Sequence, residues 1–118
     1  MRKSFLIGSI AALLAGCGQD TPEQRDISDC SNLRRVHDMA TQFVERRLKS
    51  PSTADFGPFR DAKVMSLTPE KNSACKFLVR GQVDSQNGFG AMIRSEFIVT
   101  LSKDKGQSSW SAHDVRIY

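Results

Sequence analysis

Histidine is nearly missing: His37 and His113 are the only two in 118 residues. Neither stands at a ligand-pair spacing from Cys30 or Cys75, so the sequence offers no zinc site, and no metal or other cofactor is expected. His37, at the flank of an apolar stripe, reads as a boundary residue. No serine sits in a glycine-flanked elbow, and no histidine constellation points at one. No glycine loop is built to cradle phosphate, and the acids are scattered rather than paired. Together these absences rank catalysis last among the function classes, and the expectation is that the protein is not an enzyme. A membrane-spanning run is absent too. The apolar stretch Phe5 to Ala15 is roughly 16 Å long as a helix, about half the hydrocarbon thickness. Excess charge of one sign is also lacking once the extreme N-terminus is set aside. Of 17 basic side chains, Arg2 and Lys3 belong to that terminus; the other 15 face 13 acids, a net +2. That balance gives no reason to expect a nucleic-acid partner.

What is present begins with an address. Met1-Arg2-Lys3-Ser4 is a short basic segment, followed by the apolar stretch and then Leu14-Ala15-Gly16-Cys17. This order has the form of an export signal. Its end resembles the lipobox of bacterial lipoproteins: a leucine, two small residues and the cysteine that receives the lipid. The resemblance implies cleavage before Cys17, a thioether-linked diacylglycerol on its sulfur, and acylation (palmitate) of the new amine. Three acyl chains hold a protein on a bilayer stably, where one does so only reversibly. The residue after the cysteine is Gly18, not the aspartate that retains such proteins in the inner membrane. The resemblance therefore implies the outer membrane, on its periplasmic leaflet. The domain reading is residues 1–16 as signal peptide, 17–27 as lipidated cysteine and polar tether, and 28–118 as one globular domain. Three cysteines is odd for an exported chain, but lipidation consumes Cys17. Cys30 and Cys75 remain in an oxidising compartment, and they are predicted to pair.

The rest of the chain predicts an α+β fold. From about Asp29 to Lys49, residues Leu33, Val36, Ala40, Phe43, Val44 and Leu48 recur at helical spacing, with Ser28 or Asp29 as cap and Pro51 as stop. Strands are predicted at Ala62–Thr68, Cys75–Asp84, Ala91–Leu101 and Trp110–Tyr118. The last shifts phase between Trp110 and Val115, which a bulge near His113-Asp114 reconciles. One N-terminal amphipathic helix on an antiparallel meander of three to four strands gives two layers. Asn87-Gly88 looks like a two-residue hairpin turn, but an even loop would mix apolar and polar faces. A three-residue loop, Gln86-Asn87-Gly88, keeps the faces apart. It sets Val83 opposite Ala91 and Phe77 opposite Phe97, with Gly88 in the left-handed conformation.

Leu48-Lys49-Ser50-Pro51-Ser52-Thr53-Ala54 with Phe56, and Val83-Asp84-Ser85-Gln86-Asn87-Gly88-Phe89-Gly90 with Arg94, resemble segments that recur in small uncharacterised bacterial domains. That resemblance spans about half of the mature chain and implies one folded domain without assigning an activity. The candidate binding surface is the hairpin: Asp84, Gln86, Asn87, Phe89 and Arg94. Two readings stay open there. Phe89 is an exposed apolar tip or folds back on the sheet, and the polar residues bind a partner or serve the turn and an Asp84–Arg94 cross-strand pair. Trp110 and Tyr118 read as core or edge packing. The leading functional expectation is a non-catalytic accessory or scaffold lipoprotein that binds another envelope component. The alternatives are an exclusion or inhibitory lipoprotein from a mobile element and, last, a periplasmic enzyme.

Overall fold

In the computed structural model, residues 20–118 are described. The predicted signal peptide, Cys17 and the start of the predicted tether lie outside them. Two helices, α1 (Pro22–Ser31) and α2 (Leu33–Glu45), precede two short 3-10 turns and four strands: β1 (Lys63–Leu67), β2 (Ser73–Gln86), β3 (Met92–Asp104) and β4 (Trp110–Ile117). The strands form one open antiparallel sheet in sequence order. The fold is α+β.

The predicted single helix is two. Asn32 leaves helical geometry (φ −93°, ψ 89°) and its side chain accepts from Arg35 N at 3.1 Å, so it ends one helix and caps the next. α1 occupies Pro22 to Ile27, which the polar composition assigns to a tether. Its reason is local: Thr21 and Gln24 form a reciprocal capping box and Pro22 takes the first turn. α1 buries none of its residues fully, hence the missing apolar period. α2 ends at Glu45, short of the predicted Lys49, and the chain turns before Pro51.

Val36, Ala40 and Val44 of α2 meet Phe77, Val79, Val83, Phe97, Val99 and Leu101 on one face of the sheet, all at most 3% exposed. Val83 and Phe97 belong to that face as the alternation predicts. The Cys30–Cys75 disulfide joins α1 to β2, with Cα atoms 5.9 Å apart. A register shift at Thr100/Leu101 leaves His113 unpaired between Ala112 and Asp114, the bulge that the phase slip requires.

The hairpin register differs from expectation. Gln86 pairs with Met92, so the loop is the five residues 87–91 rather than three. Val83 lies opposite Ser95 and Phe77 opposite Leu101, a displacement of four residues. Because both loops are odd, every side chain keeps its predicted face. The left-handed glycine is Gly90 (φ 80°), not Gly88.

Candidate binding hairpin

The β2–β3 hairpin is stiff to its end. Asn87 Oδ1 accepts from Phe89 N at 2.9 Å and from Ala91 N at 3.0 Å. Asn87 N donates to Ala91 O at 2.9 Å, and Gly90 N donates to Asn87 O at 3.1 Å. Gln86 N donates to Thr53 Oγ1 at 2.9 Å, which ties the hairpin shoulder to the turn after Pro51. The backbone bridge Asp55–Asp84 holds the same segment alongside. Asn87 is thus spent on the loop, and its work is conformational.

That framework presents Phe89 outward. The ring is 96% exposed, so of its two open readings the structure selects the exposed tip. Met92 and Ile93 at the foot of the loop are 56% and 46% exposed, one on each face of β3. From Ser85 to Ile93 no residue carries charge. The five predicted residues do not form one cluster of free groups. Arg94 pairs with Asp84 across the strands, its Nε and Nη2 donating at 2.8 and 3.1 Å. The Arg94 guanidinium holds the Asp84 carboxyl below its usual range. This pair lines a cleft of about 250 Å³ with Asp55, Phe56, Pro58 and Gln82, to one side of the tip.

Two arrangements were not legible beforehand. Lys103 is fully buried; its ammonium donates to Asp26 of α1 at 2.8 Å and lies 3.7 Å from Asp29. Asp26 also accepts from Gly106 N at 2.8 Å. Its signal was Asp26 and Asp29 on one turn of a helix that the polar sequence disguised. Ser102 Oγ lies 2.8 Å from His113 Nε2, the distance of a nucleophile and its base. Ser102 is 1% exposed, however, so a substrate carbonyl has no access to it. His37 is buried rather than at a boundary, edge-to-face with the Phe59 ring at 5.6 Å between ring centres. Trp110 joins the core, and Tyr118 is exposed. Among the described residues no three His, Cys, Asp or Glu side chains converge as metal ligands, and no helix is long and apolar enough to cross a membrane.

No family model matches this sequence, and comparison with curated proteins and with solved structures gives no match either.

Proposed function

We propose that the protein is a lipid-anchored module of the cell envelope that acts by contact, with the β2–β3 hairpin as its binding element. Cys17 carries the lipid, and Gly18 beside it favours the periplasmic leaflet of the outer membrane. The observation that carries the reading is Phe89, 96% exposed on a loop fixed by four hydrogen bonds. A soluble domain gains no stability from a large ring held in water; a preorganised ring lowers the ordering cost of docking. The complement of an uncharged apolar tip is an uncharged apolar pocket on another envelope protein.

A photoreactive phenylalanine analogue at position 89, in cells, tests it. A discrete adduct is expected from position 89, competed by purified wild-type domain and not by Phe89→Ala domain. Absence of any adduct, or equal competition by both domains, overturns the reading. Cys17→Ser is expected to abolish palmitate incorporation and leave an unprocessed precursor; retained labelling overturns the anchor.

A further inference from the structure

The two ends of the sheet have different surroundings. α1 starts against the β3–β4 turn: a Cβ on Gly106 would lie 3.7 Å from Pro22 Cβ, and Asp26 bonds both Lys103 and Gly106 N. The β1–β2 turn is at the same end, since Lys105 N donates to Asn72 O at 3.0 Å. The chain from Cys17 therefore enters the domain at this pair of turns. Only residues 18–21 intervene, a reach of about 17 Å when fully extended. The disulfide and the Asp26–Lys103 pair fix α1 to β2 and β3, so the entry point does not wander over the sheet. The hairpin tip lies at the other end of β3, thirteen residues from Met92 to Asp104, about 40 Å away at strand rise.

The charged groups follow the same axis. The turn end exposes the ammonium groups of Lys71 and Lys105 beside the carboxyls of Glu23 and Glu70, a charged surface suited to lipid headgroups and not to hydrocarbon. The tip, Ser85 to Ile93, has no cation to offer such a surface, and Arg94 behind it is occupied by Asp84.

We infer that the domain stands on its membrane through the β1–β2 and β3–β4 turns and holds the Phe89 hairpin at the distal end, where it meets a protein rather than the bilayer that anchors Cys17. The inference rests on the lipid-anchor reading. It assigns the paired turns to the membrane surface and sets the height at which the partner is met.

The test uses the lipidated mature chain on vesicles of phosphatidylethanolamine and phosphatidylglycerol carrying a nitroxide-labelled headgroup quencher. Gly88→Cys and Ser108→Cys each add one reactive thiol for a fluorophore. An added Cβ at Gly88 has no atom within 4 Å, and Phe89 stays in place. Ser108 is exposed in the β3–β4 turn. Quenching several-fold stronger at position 108 than at 88 is expected. Equal or stronger quenching at 88 overturns the orientation, as does quenching at neither site in vesicle-bound protein. Flotation of the wild-type chain with the vesicles reads the anchor separately: failure to float overturns the lipid reading, whereas flotation with a quenched position 88 overturns the orientation alone.

Discussion

At the scale of single residues, Gly81 and Lys103 bear the tightest constraints. Gly81 lies beneath the Phe97 ring: a Cβ there would stand 2.7 Å from Cζ and 3.0 Å from Cε2. Phe97 is fully buried and its ring meets Phe56 edge-on at 5.8 Å, so it has no room to withdraw. Gly81→Ala is expected to cost about 2 kcal/mol by overpacking, read from the urea midpoint; an unchanged midpoint overturns the account. Lys103 poses the opposite problem, a charge with no water. Removing its partner in Asp26→Ala leaves an ammonium with a 3.4 Å bond to the Asp104 carbonyl and the longer Asp29 contact, and is expected to cost about 3 kcal/mol. Asp26→Leu combined with Lys103→Met removes both charges and is expected to recover most of that loss. A double variant as unstable as the single would mean that packing, not the stranded charge, sets the cost.

At the scale of elements, α1 depends on tertiary ties. It buries no residue fully and has ten residues, too few for a stable isolated helix. The disulfide closes a sequence separation of 45, which in the chain-entropy model is worth roughly 4 kcal/mol. Cys30→Ser with Cys75→Ser is expected to lower stability by up to about that amount and to raise amide exchange in Pro22–Ser31 well before the sheet opens. Uniform exchange across the domain would sink the idea that α1 is held chiefly by its ties. The same element shows why part of the fold was legible and part was not. α2, β2, β3 and the His113 bulge announce themselves through apolar period, because each buries a face. The Cys30–Cys75 pair follows from cysteine parity, although Cys30 proves to lie on α1 and not on the helix that the apolar period marks. α1 carries no apolar stripe, so only the Thr21-Pro22-Glu23-Gln24 capping pattern marks it. The hairpin's odd loop was fixed by face, but face alone repeats every two residues and does not distinguish three loop residues from five. Asn87, with two loop amides on its side chain, makes that choice. Phe89's identity was legible and its exposure was not, since exposure depends on where the loop ends.

At the scale of the whole molecule, a buried histidine on α2 and an ion-paired carboxylate on α1 should give its stability a two-step dependence on pH. His37, 5% exposed, has neither ring nitrogen hydrogen-bonded among the described residues. Burial pushes its pKa down from the ordinary 6.5, only partly opposed by Asp38 at 3.7 Å. Asp26 is also lowered, chiefly by its hydrogen bond from Lys103. The signs agree. Below about 6.5 an unfolded His37 takes a proton that the folded one refuses, so stability falls as pH falls, by at most about 1.4 kcal/mol per unit. The Asp26 contribution is intact above the ordinary carboxyl value of 3.8 and is lost as pH drops through its lower folded value. Urea midpoints measured from neutral to strongly acid pH should therefore decline in two stages. His37→Leu should flatten the first stage and leave the second; Asp26→Leu with Lys103→Met should leave the first and shrink the second, of which the lowered Asp84 and Glu70 carboxyls keep a part. Arg34 lies over the Phe59 ring at 4.9 Å, and that ring covers His37, so protonation there also places a cation beneath a cation-bearing lid. A first stage that survives His37→Leu would show that the protons come from another group and that this buried ring titrates alike in both states.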